Sequence, residues 1–215
     1  MTELIPSHGG YENLKSFQTT EIIYDLTVDF CRRYIQAHKL RDQLEGAARS
    51  GSFNIAEGSQ ASGTSKQTEI RLVDVARDSQ EELKRDMLAF LRQHGLPIWD
   101  KSDPRAVTIR NLGYTSNRSY ETYRSYMENP EIAANCLLCL VNQATYLLDK
   151  QLAALGKGLV QKGDFKERYR SARQEQLKKQ LFGSNDDAEY EALLKQHGMR
   201  RLANGQVVSE NKKDI

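Results

Sequence analysis

The hydrophobic pattern of residues 14–36 predicts a long helix with a broad buried face. At about 100° per residue, its large apolar side chains fall in one wide arc. These side chains are Ile23, Leu26, Val28, Phe30, Cys31, Tyr34 and Ile35. A face this wide is able to pack against more than one neighbouring helix.

A second helix is predicted over residues 40–61, although this segment contains the glycine- and serine-rich stretch RSGSFNIAEGSQASG at positions 49–63. One helical stripe collects Leu40, Leu44, Ala47, Gly51, Asn54, Ile55 and Gly58. The glycines share the register of the leucines, which favours a helix that a neighbouring backbone approaches closely. Each glycine lowers helix propensity by about 0.5–1 kcal/mol relative to alanine, so close packing has to offset that loss. A loop is the alternative.

Two further long helices follow from the same analysis. Residues 65–94 carry a narrow apolar stripe, with Ser65 as a candidate N-cap and the sequence HGLP at the end. Residues 130–156 begin with proline, which suits a first helical turn, and are apolar around most of the circumference. Such a helix should be buried on several sides. We expect that one bundle cannot cover it, and Phe53 projects away from the second stripe, so a homo-oligomer is predicted.

The remaining segments are less regular. Residues 98–129 are interpreted as an insertion, and the composition changes after the sequence GKG at 156–158. A basic helix over 165–182, a short helix over 186–197 and a frayed tail from Asn204 are expected. The predicted fold is all-α: an antiparallel up-down four-helix bundle over residues 11–156, with the insertion at about 98–129 and a helical C-terminal extension over 157–215.

Composition narrows the function classes only slightly. The 215 residues include 31 basic and 29 acidic side chains, a balance that neither requires nor excludes a polyanionic partner. The N-terminus shows no basic region followed by an apolar run, and the stretch CLLCLVNQATYLL is too short for a membrane span. An odd number of cysteines suits a reducing compartment. We therefore expect a cytoplasmic protein.

Candidate chemistry is sparse. Cys136 and Cys139 form a CxxC motif, but they lie among leucines on a predicted helix without two further ligands at suitable spacing. Core packing is the interpretation we favour for them. The four histidines are scattered, and we find no nucleophile triad, paired carboxylates or phosphate-binding glycine loop. The expectation is a protein that is not an enzyme and that needs no metal or cofactor.

Three blocks of sequence carry a family likeness. They are YENLKSFQTTEIIYDLTVDFC, RDQLEGAARSGSFNIAEGSQA and SKQTEIRLVDVARDSQEELKRDMLAFL. Together they resemble the family of 23S rRNA intervening-sequence proteins, with NIAEG and ARDSQEEL as the most specific motifs. Onto this chain the motifs map as Asn54, Glu57, Gly58, Arg77 and Ser79, and a structural role is expected for them. For Asn54, that role is a hydrogen bond across helices, and for Glu57 an ion pair with Arg49 or another basic group; a ligand or partner site is the alternative.

The resemblance also implies an assembly and a partner. It implies a four-helix bundle, commonly a homopentameric ring, and the extension resembles that of a subgroup with a C-terminal suffix region. The accessory proteins of diversity-generating retroelements are similar bundles, and they bind nucleic acid and a reverse transcriptase through a basic surface.

Two segments of this chain have the composition of a nucleic-acid contact. In the insertion, Arg110, Arg118 and Arg124 alternate with tyrosines at 114, 120, 123 and 126, and aromatic rings stack on bases while arginines contact phosphate. In the extension, the basic residues are Lys166, Arg168, Arg170, Arg173, Lys178 and Lys179. The alternatives are a tyrosine-rich cover on the bundle and an ordinary solvated helix.

The sequence therefore predicts a non-catalytic oligomeric binding protein that contacts RNA or a nucleic-acid-processing enzyme. The other hypothesis is a structural or adaptor homo-oligomer that binds only protein partners.

Overall fold

The computed structural model describes residues 5, 7–182, 187–202 and 206–209, and within them the chain is mostly helical. The all-α class is therefore confirmed. The α-helices are α1 (Lys15–Tyr34), α2 (His38–Ala61), α3 (Lys66–Gln93), α4 (Pro104–Leu112), α5 (Tyr120–Tyr123), α6 (Pro130–Lys162), α7 (Phe165–Phe182) and α8 (Asp187–Gln196). Short 3₁₀ helices occupy Tyr11–Asn13 and Arg124–Glu128. Two short strands, β1 (Met199–Arg201) and β2 (Val207–Ser209), pair antiparallel.

The glycine- and serine-rich stretch is part of α2, which continues without a break to Ala61. The loop alternative is therefore wrong. The predicted helix starts are confirmed as well. Ser65 caps α3 by accepting a hydrogen bond from the Thr68 backbone N–H, and Asn129 caps α6, whose first residue is Pro130.

The end of α6 differs from the prediction. We expected it near Gly156, but the helix runs to Lys162 and stops at Gly163, whose φ is 66°. A glycine inside a helix lowers its stability by only about 1 kcal/mol, which does not terminate a long apolar helix. A residue with positive φ after the last turn does terminate it, because the following chain can no longer continue the hydrogen-bond ladder.

Each of the four long helices packs on two others: α1 and α3 both contact α2 and α6. Hydrogen bonds show how α1 and α6 run. The Ser16 hydroxyl near the start of α1 donates to the Gln151 side chain near the end of α6. The Tyr34 hydroxyl at the end of α1 donates to the Met127 carbonyl, just before α6 begins. The start of each helix thus lies beside the end of the other.

The insertion covers part of the apolar circumference of α6. Ile109 on α4, Tyr123 on α5 and Met127 in the second 3₁₀ helix are completely buried in the main core cluster, together with Leu137 and Leu140 of α6. Much of this helix is therefore covered within the chain, whereas Leu147, Leu152 and Leu155 stay half-buried, and the oligomer remains a prediction. A helical stretch that begins at Pro130 has the length and composition of a membrane span, and 56% of its most apolar window is buried inside the fold.

The described residues divide into two compact units, one ending at Phe165 and one beginning at Lys166. The second unit consists of most of α7 followed by α8 and the β1–β2 hairpin, in which Arg200 pairs with Val208. The hairpin was not predicted from the sequence. Of the tail that was expected to fray, residues 204, 205 and 210–215 lie outside the described residues.

Candidate functional site

The seam between α2 and α3 explains the two glycines of the predicted stripe. A Cβ on Gly58 would lie 3.2 Å from the Glu69 carbonyl oxygen and 3.2 Å from the Leu72 Cβ. A Cβ on Gly51 would collide with the side-chain amide of Gln80, which is completely buried. The predicted close approach of a neighbouring backbone is therefore confirmed at Gly58, whereas at Gly51 the space is filled by the Gln80 side chain.

Asn54 belongs to a short chain of polar contacts at this seam. Its Nδ2 donates to the Ser50 carbonyl oxygen at 2.9 Å and lies 2.7 Å from the Ser50 Oγ. Ser79 on α3 completes the chain, with its Oγ 2.9 Å from that of Ser50. The expected hydrogen bond of Asn54 across helices is therefore wrong: Asn54 bonds within α2, and Ser50 makes the link to α3. This arrangement favours the structural interpretation of the motif.

Glu57 and Arg77 do not take part in the polar contacts around Asn54. Glu57 is exposed, and the guanidinium of Arg49 lies 3.7 Å from the centre of the Phe53 ring. The expected ion pair between Arg49 and Glu57 is thus replaced by a cation–π contact. Arg77 instead forms an ion pair with Asp149, which joins α3 to α6. The motif residues hold two different helix seams and do not converge on one pocket.

The three arginines of the insertion differ in how far their guanidinium groups contact the rest of the protein. Arg118 donates to the Thr19 hydroxyl at 2.6 Å and to the Lys15 carbonyl, which ties the insertion to the start of α1. Arg110 donates to the Lys101 carbonyl. Arg124 is exposed and lies at 3.5 Å from Glu121. The three guanidinium groups thus contact different parts of the chain: the Lys101 carbonyl, the start of α1 and Glu121.

The insertion tyrosines also have separate environments. Tyr123 is completely buried, whereas 84% of Tyr114 is exposed. The Tyr120 hydroxyl donates to Asp29. Burial alone would raise the pKa of Asp29, but hydrogen bonds from Arg33 and Tyr120 lower that pKa below its usual value. These contacts favour the interpretation of the segment as a cover on the bundle.

On α7, the predicted basic residues surround the helix. Arg170 and Arg173 are exposed and lie on one side with Lys166, at spacings of four and three residues. Arg168, whose Nε is buried, and Lys179, which is paired with Glu175 at 2.8 Å, project from the opposite side. Lys178 lies 5.3 Å from the Tyr190 ring centre. Lys166, the first of the predicted basic residues, thus belongs to the exposed group.

The CxxC residues are packed within the fold. Burial raises the pKa of the Cys136 and Cys139 thiols, and that of Cys31 to about 12, so all three stay protonated at neutral pH. Within the part of the chain that the structure describes, no group of three or more His, Cys, Asp or Glu side chains is placed to hold a metal ion.

Sequence reasoning missed Gln80. Its side chain lies in the apolar stripe of α3, between Ala76 and Leu83, and neither polar atom has a hydrogen-bond partner among the described residues. The helical spacing could have indicated its burial, since position 80 lies on the same stripe as the buried residues Val73, Ala76, Leu83 and Met87.

These observations define a mostly helical protein with tightly packed helix seams and one strongly basic helix. No family model, curated protein or solved structure matches the chain.

Proposed function

We propose that the chain is a non-catalytic, oligomeric, cytoplasmic binding protein of the 23S rRNA intervening-sequence type, which contacts RNA or a nucleic-acid-processing enzyme. In this proposal α1, α2, α3 and α6 form an antiparallel up-down four-helix bundle. The cyclic packing of these helices supports that topology, as do the short connections between α1, α2 and α3.

The observation that carries the nucleic-acid part is the basic row of α7, defined as Lys166, Arg170 and Arg173. Helix α7 contains six basic and two acidic residues. The three side chains of the row are exposed and share one face of the helix, at the spacing that lets them contact successive phosphates of one strand.

The basic row is tested by an electrophoretic shift titration with single-stranded RNA between about 50 and 200 mM salt. Replacement of Lys166, Arg170 and Arg173 by Gln should reduce the slope of log affinity against log salt by about 2, because each lost single-strand contact removes about 0.7. The row is the right target because the Arg168 Nε is buried and Lys178 lies beside the Tyr190 ring, whereas the three residues of the row are exposed.

A charge-matched control replaces Arg32, Lys39 and Arg71, which are exposed on α1, α2 and α3, by Gln. It should leave the slope unchanged. A parent protein that fails to shift RNA at low salt would refute the nucleic-acid proposal.

The alternative is an adaptor homo-oligomer that binds only protein. It is supported by exposed apolar side chains on the two helices that flank the α2–α3 seam. Phe53 on α2 is 51% exposed and Val75 on α3 is 40% exposed. A homo-oligomer is part of both proposals, and the pentamer rests on resemblance alone. Light scattering at micromolar concentration should show an oligomer that Phe53→Ser weakens; a stable monomer of the parent chain would refute assembly.

A further inference from the structure

A cavity of about 610 Å³ lies between α3, the segment 98–110 and α6. Its lining is mostly apolar and includes Leu88, Trp99 and Leu138, with the 60% exposed Tyr146 at the edge. This volume and this lining are typical of sites for small organic ligands.

Three cations and one carboxylate also line the cavity. The cations are Lys84, Lys101 and Arg110, and the carboxylate is Asp100, which accepts hydrogen bonds from the backbone and side chain of Ser102. Lys84 lies 3.3 Å from Glu81, and Arg110 donates one hydrogen bond to the Lys101 carbonyl. The formal net charge of the lining residues is therefore positive.

The wall formed by Trp99 is fixed in place by hydrogen bonds. Its backbone N–H donates to the Asn135 Oδ1 at 2.9 Å, and its indole N–H donates to the Glu131 carboxylate at 2.9 Å. The Asn135 Nδ2 in turn donates to the Pro97 carbonyl. A ligand would thus find an aromatic wall already positioned, which reduces the entropy lost on binding.

We propose that this cavity binds a small amphipathic organic acid. The apolar body lies against Trp99 and Leu138, and the anionic head lies among Lys84, Lys101 and Arg110. The apolar surface supplies affinity, and the cations select a negative head over a neutral one. This site lies in the first unit and does not depend on RNA binding by the basic row of α7.

Anilinonaphthalene sulfonate is the probe, because it combines an aromatic body with one negative charge. Trp99 is the only tryptophan of the chain, so quenching of its emission reports binding beside the indole. Phenylnaphthylamine has a closely similar body without the charge and serves as the matched neutral ligand. The full chain should bind one anionic probe molecule with Trp99 quenching, and added salt should weaken the anionic probe more than the neutral one.

Replacement of Lys84, Lys101 and Arg110 by Gln should weaken the anionic probe about tenfold and leave the neutral probe within about twofold, since the lost interactions are electrostatic. Tyr146→Ala should weaken both probes because it removes apolar wall. The control with Arg32, Lys39 and Arg71 changed to Gln should alter neither, since these residues do not line the cavity. Circular dichroism checks that each variant is folded.

Competition identifies the ligand class. Decanoate should displace the anionic probe, whereas inorganic phosphate at the same concentration should not. Displacement by phosphate as effective as that by decanoate would indicate a plain anion site and overturn the proposal. Displacement of the anionic probe by a short RNA oligonucleotide but not by decanoate would also overturn it. So would an equal loss of affinity for both probes in the triple variant. If the triple variant does not fold, the parent chain supplies the test. In that case, affinities for the two probes that fall equally with added salt would overturn the proposal.

Discussion

Two pairs of glycines in this protein lie inside long helices and have opposite surroundings. In α2, Gly51 and Gly58 are buried where α3 passes, and a Cβ at either position would meet the neighbouring helix within 3.2 Å. In α6, Gly156 and Gly158 face open space, since apart from the backbone of the helix itself no described atom lies within 4 Å of an added Cβ. The same residue type is thus a packing requirement in one helix and a local weakness in the other.

The difference shows what a glycine in a helical sequence indicates. In α2 the glycines share a stripe with Leu44 and Ile55, and this register correctly predicted a close approach. In α6 the glycines were interpreted as the end of the helix, although the apolar positions on the preceding turns predicted only that the helix existed. A glycine therefore indicates packing when the neighbouring positions on its stripe are buried. Without that context it does not mark a boundary.

The largest effect is expected for Gly58→Leu. The new side chain has no room beside the Glu69 backbone, so α2 and α3 must separate, and the free energy of unfolding should fall by about 3 kcal/mol or more. Chemical denaturation measures the change. Gly46→Leu is the control, because Gly46 is exposed on the same helix with nothing within 4 Å, and this variant should keep or raise the stability. Equal destabilisation by both changes would show that Gly58 is not packed against α3.

A smaller loss is expected for Gly51→Ala, which places a methyl group where the Gln80 amide lies. The free energy of unfolding should fall by about 1–3 kcal/mol. Gln80→Ala empties that space, so the double variant should lose less than the sum of the two single changes. The coupling in this cycle should reach about 1 kcal/mol, as is found for residues in contact. Additive losses would mean that the two residues do not share the space.

The smallest effects, of opposite sign, belong to α6. Gly156→Ala and Gly158→Ala should each raise the free energy of unfolding by about 0.5–1 kcal/mol, because alanine has the higher helix propensity and nothing obstructs its methyl group. Thermal unfolding of the single and double variants checks this. No gain at either position would argue that the helix ends near Gly156, as the sequence pattern predicts.

The regular features of the fold were predictable because they depend on local signals. The period of α2, the Ser65 cap and the proline at the start of α6 are all readable from neighbouring residues. The end of α6 was not, since it depends on the positive φ of Gly163 rather than on the earlier glycines.

The candidate site was less predictable for a different reason. The insertion arginines and tyrosines resemble an RNA-binding composition, but their roles depend on tertiary contacts. Arg118 reaches Thr19 and Tyr120 reaches Asp29, which lie 99 and 91 positions away along the chain. Sequence pattern carries no information on such partners. The exposed row of α7, in contrast, followed from helical spacing once the helix was known.

The hydrogen bond between Ser16 and Gln151 joins positions 135 residues apart, and this separation sets an order for folding during synthesis. The first three long helices leave the ribosome well before α6. Until α6 is complete, the faces of α1 and α3 that pack on it remain open to solvent. Contacts of high sequence separation slow folding, and apolar faces exposed in the meantime favour aggregation. During most of its synthesis the chain therefore exposes the faces of α1 and α3 that later pack on α6.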